Sequence, residues 1–574
     1  MRRAIAILVA LYLIFVLVDK FVLVELLVRR TAIPVLLAIA SALAAAGAGF
    51  LARRLQRDLA LNLVVGYPIF GAICFLVALL KISPWTMVPV VGILGGIGLL
   101  SSAKASQAVD DARRARRSTF AVIALALIGV AAFIAAQAPP STLDELAYHL
   151  AVPWTWVKEG RAIDLPLVSH SYFPLGIESA DLPLLSILGT AGGGIASHFL
   201  HLLAAVAVVA LLLRRTRDCP ILTAAIAATP ALALTAGWSL VDWPLLGVSL
   251  ALADAEEDAT FAAALGAGLL TKYTFIPIAI IVCVWAGRSR PDRLKPVRTL
   301  GTGIAIGSIF FLRNLMLTGN PIAPFLGALA PHVAHYRAGA FVSDYIFSGG
   351  FIDESLGASM LIACVLTAGA LAWLLAAAGA ALFFLAPSAR LLVPFFAIPA
   401  SRATIPNRWL RGLIAIAIAV QLLLIAFFTE RSQAFALIAG RAYDDQYLAA
   451  VRPSTTTIAA IDSALPERSL TLIIGLSETY WFQHRVRGGG NFDGPRVSAY
   501  LDAGSSDALA ARLKRDGITH IAVIAAPVPT TDARKLEERE TALSDGAKRT
   551  LAQLLDRYAG GVTQHGNATL FALK

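Results

Sequence analysis

The sequence predicts a polytopic α-helical membrane protein closed by a small C-terminal α/β domain. Three observations carry this. Of 574 residues, 58% are hydrophobic and only 15% charged, against roughly 25% charged in a soluble domain. Apolar runs of about 20 residues, the length that crosses a bilayer, recur up to about position 430. Beyond that point charge rises, and short apolar segments alternate with polar ones.

The expected spans are 4–28, 33–51, 59–80, 84–102, 119–138, 188–213, 220–237, 240–253, 260–272, 273–287, 299–317, 358–386 and 408–428. That is about thirteen, within a range of about 11–14 because several are short. The opening "MRRAIAILVALYLIFVLVDKFVLVELLVRR" has a basic start. Its apolar stretch exceeds the 7–15 residues of a signal peptide, so it reads as a retained first span.

The net charge of +11 reads as topology. Basic residues gather in short loops: Arg53, Arg54 and Arg57; Lys104 to Arg117; Arg214, Arg215 and Arg217; Arg288 to Arg298; Arg402, Arg408 and Arg411. This is the positive-inside bias, and it argues against a nucleic-acid partner. With the N-terminus inside, segments 139–187 and 318–357 and everything from 430 onward fall outside. The alanine-, leucine- and arginine-rich composition fits a GC-rich bacterium, so the expected location is the inner membrane, with residues 430–574 in the periplasm and 1–429 as the membrane domain. Cys74, Cys219, Cys283 and Cys364 lie in or beside apolar segments without a CxxC pair, so neither disulfides nor a zinc site is expected.

In the tail, "SLTLIIGL" (469–476) reads as a buried strand, "SDALAARLKRDG" (506–517) as a helix, "ITHIAVIAA" (518–526) as a second strand and "VTQHGNATLFAL" as a closing strand. That alternation indicates a small α/β unit. The "GLSETYWF" turn fits a scaffold or acceptor-guiding role better than a phosphate-holding one.

Loops longer than about 15 residues in a compact protein are usually functional or disordered. The first external loop opens with "STLDELAYHL" (141–150), followed by "AVPWTWVKEG". Apolar positions 143, 146, 147, 150, 151 and 154 fall at helical spacing, predicting a short amphipathic helix in the outer interface. Ser141 or Thr142 starts it, and Pro153 ends or kinks it. Its polar side presents Asp144, Glu145, Tyr148 and His149. "TLDE" fits a capping box with Thr142 as N-cap and Glu145 reaching back, which leaves Asp144 as the spare carboxylate.

The run "LDELAYHL…PWTWVKEGRA", with "SYFPLGIES" (171–179), "GLLTKYTFIPI" (268–278) and "LRNLMLTGNPIAPF" (312–325), resembles GT-C glycosyltransferases of the protein O-mannosyltransferase or aminoarabinose transferase type. The likeness covers most of 139–574. It implies a membrane enzyme that transfers a sugar from a polyprenyl-phosphate or polyprenyl-diphosphate carrier to a hydroxyl, with inversion, at the periplasmic face. An acidic residue in the first loop would act as base. Here the pair is Asp144-Glu145, and the resemblance leaves open which member acts. Positioned proton transfer contributes about 10²–10⁴-fold.

The leaving phosphate needs cations, and the resemblance assigns Lys272 and Arg313, with Asn314 beside the latter, to that role. A lysine inside a span costs about 2.5–3.5 kcal/mol on insertion scales, so it faces a partner or an aqueous cavity unless it snorkels from the span end. Tyr148, His149, Glu178 and Asp242 are candidates to line the sugar site. Structural duties compete for each: interfacial anchoring for Tyr148 and His149, a base pair for Glu178, a helix cap for Asp242. No cofactor is expected; a divalent cation, which Glu178 could help hold, is the less favoured alternative. The expected partners are a polyprenyl-linked sugar donor, membrane lipids, and a lipid, glycan or protein acceptor. The alternative from another class is a transporter or flippase of a lipid-linked or small polar substrate. Transporters favour internal repeats and midplane sites, whereas here no repeat is evident and the polar candidates gather at the outer face.

Overall fold

The computed structural model describes residues 30–101, 118–216, 219–289, 296–325, 356–367, 369–385, 389–489, 493–524 and 543–574. The predicted span 4–28 and most of the predicted loop 318–357 lie outside these residues.

Helices α1 (Ile33–Ala52), α2 (Leu59–Leu80), α3 (Pro84–Ser101) and α4 (Thr119–Ala136) follow one another as apolar rods. Two start at side-chain caps: the Asp58 carboxylate accepts from Leu61 N–H, and the Ser118 hydroxyl from Ala121 N–H. Each satisfies a backbone donor that lipid cannot. Six described helices are long and apolar enough to cross a membrane, or seven if the bent pair Val297–Gly307 and Ile309–Thr318 counts as one. Side chains such as Leu80, Trp85, Met316 and Trp409 are more than three-quarters exposed, a surface that lipid rather than water covers. The chain is a multi-pass membrane protein.

Loops at one end carry the arginines. Arg214 pairs with Asp58 at 2.9 Å, Arg215 and Arg402 both meet Asp254, and Arg53 donates to Asn62. The opposite end carries segment 137–181 and the C-terminal unit.

Between those ends the helices depart from simple rods. The long α5 (Leu182–Arg215) breaks at Gly189, whose φ of 68° and ψ of −160° are not helical. The predicted span 220–237 divides into Pro220–Ala227 and Pro230–Ala233. The segment 358–386 is two helices, Ala358–Val365 and Ala370–Leu385, and a further helix, α6 (Ala389–Ala400), follows where the sequence reading had only a loop. Ser401, at its far end, meets Arg215 on the arginine-bearing face, which puts Arg390 at the other. A helix of 8 residues spans too little membrane at 1.5 Å per residue, so this region turns back twice before Arg408–Arg431 leaves it.

The C-terminal unit is a five-stranded sheet in the order β2-β1-β3-β5-β4, formed by β1 (Leu470–Ile474), β2 (Arg485–Gly488), β3 (His520–Ile524), β4 (Ala559–His565) and β5 (Ala568–Leu573). β1 pairs in parallel with β2 and β3, while β5 runs antiparallel to β3 and β4. Every residue of β1 is buried, because helices cover both faces of a central parallel strand. The single closing strand expected from "VTQHGNATLFAL" is a hairpin turning at Gly566-Asn567.

Segment 141–160 differs from the expected interfacial helix. Residues Glu145–His149 form a π-helical turn, and helix α7 (Ala151–Glu159) continues through Pro153. Pro153 is tolerated because the turn at Leu150 places it in the first turn of a new helix, where its missing N–H costs nothing. The helix ends at Gly160, with φ +69°. Nor does the segment offer a polar face to water: all five residues of the π-turn are buried, because the C-terminal unit packs over it.

Candidate active site

Asp144 stands at the head of the π-turn, where Arg390 Nη2 donates to its Oδ2 at 2.5 Å. Arg390 Nε lies 3.8 Å from Asp242 Oδ1. One guanidinium thus sits between two carboxylates, one from the loop and one from the start of Asp242–Asp254. Asp144 keeps 24% of its side-chain exposure, Asp242 only 3%. Burial would raise the Asp144 carboxyl, but Arg390, helped by Lys272, holds it well below the usual carboxylate range. Lys272 ends the helix Asp258–Thr271 as its C-cap, in the combined field of Asp242, Asp144 and Glu178. Among the described residues its ammonium forms no hydrogen bond or ion pair.

Glu145 points the other way. Its Oε2 accepts from Thr142 Oγ1 at 2.8 Å and from the N–H groups of Thr142 and Ser141 at 3.1 and 3.3 Å. Its Oε1 meets His198 Nε2 and accepts from Ser239 N–H, both at 2.7 Å. With no exposed surface and both oxygens occupied, Glu145 reaches back to cap the Thr142 N–H, the one half of the expected capping box that forms, and ties the loop to the stretch of chain before Asp242. It is a buried cap rather than an available base. The reason is geometric: neighbouring helical residues point about 100° apart, so adjacent carboxylates face different environments.

Glu178 arrives from the short turn Gly176–Ser179. That turn lies so close to α2 that a Cβ on Gly71 would sit 1.6 Å from the Gly176 carbonyl oxygen, so only glycine fits. Its Oε1 contacts His149 Nδ1 at 2.8 Å. Burial pushes the Glu178 carboxyl up to about 8 and the His149 imidazole well below its ordinary value. The contact is therefore one between a neutral acid and a neutral imidazole. The far atoms, Glu178 Oε2 and His149 Nε2, have no hydrogen-bond partner among the described residues, nor do Asp181 Oδ1, His201 Nε2, Tyr67 Oη or Asp242 Oδ2. Each such buried atom costs about 1–3 kcal/mol if left dry, so this cluster is built for water or a polyhydroxylated ligand. Tyr148 stacks between His149 and His170, with ring centroids 4.0 and 4.2 Å away.

The structure thus brings together Asp144, Tyr148, His149, Glu178, Asp242 and Lys272. It does not bring Arg313 and Asn314 to them. Arg313 Nη1 donates to the Ser171 carbonyl at 2.7 Å, and its guanidinium lies over Phe75, Trp156 and Tyr172. Asn314 Nδ2 donates to the Tyr172 carbonyl. Both hold the 169–173 loop in place. Arg390, His170, Asp181, His198 and His201 were not among the sequence candidates. His198 and His201, three apart inside an apolar helix, are the signal that could have found the Glu145 anchor. Arg390 was hidden by reading 358–386 as one span, which put position 390 on the wrong face.

A cavity of about 120 Å³ lies behind the π-turn, lined by Ala147, Ala151, Leu167, Arg487 and Asp516 among others. It faces the C-terminal sheet, away from Asp144. Among the described residues, no group of three or more His, Cys, Asp or Glu side chains could hold a metal ion.

No family model matches the chain, and no curated protein matches it. Among solved structures, it is similar to the crystal structure of ArnT from Cupriavidus metallidurans bound to undecaprenyl phosphate. The two share 14% sequence identity at a TM-score of 0.43, over 79% of this chain and 97% of that one.

Proposed function

We propose that the protein is an inverting membrane glycosyltransferase that moves a sugar from a polyprenyl-phosphate or polyprenyl-diphosphate carrier to an acceptor hydroxyl, with Asp144 as general base. The observation that carries this reading is the juxtaposition of one partly open carboxylate, two cations and a set of buried, unpartnered sugar-compatible atoms. Lys272 and Arg390 bind the carrier phosphate. Tyr148, packed against His149 and His170, sets the wall of the sugar site, and Glu178, His149 and Asp242 bond the sugar hydroxyls. The acceptor oxygen attacks the anomeric carbon opposite the phosphate, and the carbon–phosphate-oxygen bond breaks. The departing phosphate keeps that electron pair, while the acceptor's proton passes to Asp144. An anionic leaving group next to two cations needs no general acid. The acceptor is a lipid, glycan or protein hydroxyl on the periplasmic side, where the arginine-poor face and the C-terminal unit would lie.

The test is turnover of a panel of polyprenyl-phosphate and polyprenyl-diphosphate sugars by purified native protein and by Asp144→Asn. A loss of at least about 10²-fold in the variant is expected for removal of a positioned base. Equal turnover would remove Asp144 from the role. Donor binding without turnover by any pair, joined to donor movement across vesicles, would favour the transporter.

A further inference from the structure

We infer that the turn 478–482 of the C-terminal unit is a positioning element of the Asp144 site, holding residues Glu145–His149 in the π register that directs Asp144 at Arg390. The kinetic part of this inference rests on the glycosyltransferase reading; the structural part does not.

The contact is made at one carbonyl. In the π-turn, Leu150 N–H reaches back five residues to the Glu145 carbonyl at 3.0 Å. The next carbonyl, Leu146, accepts instead from Thr479 N–H at 2.9 Å and Tyr480 N–H at 3.2 Å. In an ordinary α register Leu150 N–H would take the Leu146 carbonyl. The two arrangements compete for the same acceptor, so the C-terminal donors select the π form. Relaxation to the α form would turn Asp144 by up to about 100° relative to the helix below it. A rotation of that size removes its carboxylate from Arg390.

The turn is itself braced so that its N–H groups stay aimed. Buried Glu478 pairs with Arg452 at 2.6 Å and accepts from Ser454 Oγ at 2.5 Å. Tyr480, wholly buried, packs with Leu146, Leu150, Trp154 and Leu185. Its hydroxyl donates at 2.6 Å to the Thr190 carbonyl, beside the break at Gly189. Either side of the π-turn is pinned as well. Trp481 Nε1 donates to the Pro140 carbonyl at 3.3 Å, while Lys158 Nζ and Trp154 Nε1 both donate to the Phe482 carbonyl, at 2.8 and 3.0 Å. Such an arrangement is more than a soluble domain resting on a membrane domain: its backbone completes a hydrogen-bond ladder that the loop leaves open. π-turns of this kind occur frequently at functional sites.

The experiment uses the full chain in detergent, with Tyr480→Ala, Tyr480→Phe and Trp481→Phe, read by amide hydrogen exchange and by donor kinetics. Tyr480→Ala should speed exchange across 145–151 at least tenfold over native, with exchange in α1 and α2 unchanged. Its kcat should fall about 10²-fold, the scale of an ångström-sized misplacement, while donor KM moves less than about threefold because the phosphate cations are untouched. Tyr480→Phe, which keeps the ring, should recover most of both. Should Tyr480→Ala fail to accumulate, Trp481→Phe deletes one N–H with little volume and must still speed exchange at 141–146. Unchanged exchange in the variant that folds overturns the inference, as does an equal loss of kcat and protection in Tyr480→Phe and Tyr480→Ala. Altered exchange in a protein that turns over no donor would keep the clamp and reject the glycosyltransferase reading.

Discussion

Arg390→Met isolates the electrostatic part of the proposed site, because methionine keeps the reach of the side chain and discards its charge. In the native fold the guanidinium lies 2.5 Å from Asp144 Oδ2 and 3.8 Å from Asp242 Oδ1. Unit charges about 4 Å apart at an effective dielectric of about 20 attract by about 4 kcal/mol. That attraction outweighs burial and holds the Asp144 carboxyl well below its ordinary range. The pair is 16% and 24% exposed, so solvent screening trims the effect without cancelling it. A base must be deprotonated to act. Raising its pKa therefore moves the acid limb of kcat/KM to higher pH, with Lys272 compensating only in part. Donor KM should rise about tenfold or more, since a charge-assisted bond to phosphate is worth about 1.5–3 kcal/mol. Arg390→Lys, with the charge kept, should leave the acid limb near its native position. The assay is the pH profile of sugar transfer from a matched donor. An acid limb that stays in place with donor KM unchanged would refute both the pairing and the phosphate role.

Glu145→Ala should destabilise the protein by at least about 3 kcal/mol, because several buried donors lose their acceptor at once; its thermal midpoint in detergent should fall well below that of Asp144→Asn, which should stay near native. Arg313→Met should also lower stability, by about 1–3 kcal/mol through the Ser171 carbonyl and the ring stack, yet leave donor KM within about twofold; a large KM effect would return Arg313 to the phosphate site. Asp493, whose Oδ1 accepts from Ser169 N–H, is pushed by burial up to about 7. Because the folded state holds that proton more tightly than the unfolded chain, stability should fall as pH rises from about 4 to about 7, by about 4 kcal/mol at most. Thermal midpoints across that range should show the slope in native protein and lose it in Asp493→Asn.

The membrane class, the C-terminal sheet and most of the acidic cluster were legible because each rests on local signals. Apolar runs mark helices wherever they occur, and alternating short strands mark a sheet. The Thr142–Glu145 cap was legible for the same reason, since its partners are three residues apart. Arg390 was not, because its meaning depends on which end of a short helix faces which side. Hydropathy sees the apolar length of 358–386 but not that one helix ends at Val365 and the next begins at Ala370. The π register at 145–149 was equally hidden: its stabilising donors, Thr479 and Tyr480, lie more than 300 positions away. Arg313 shows the reverse failure. A basic residue in an apolar helix announces a special environment, but the rings of Phe75, Trp156 and Tyr172 supply that environment as well as a phosphate would.

On the proposed reading, the charges around Asp144 also say when the base is ready. Lys272 and Arg390 already face the carboxylates of Asp144 and Asp242. A carrier phosphate adds one or two negative charges, and its strongest available partner is the guanidinium that now holds Asp144. Donor binding must therefore draw Arg390 partly off Asp144, and the carboxylate becomes more basic as the sugar arrives. On the proposed reading, Asp144 is until then a poor base held in an ion pair. The acid limb of kcat reports the donor complex, and that of kcat/KM the free enzyme. If the guanidinium is shared in this way, the limb of kcat lies at higher pH than the limb of kcat/KM. Coincident limbs would mean that Arg390 stays on Asp144 throughout, leaving Lys272 to hold the phosphate alone.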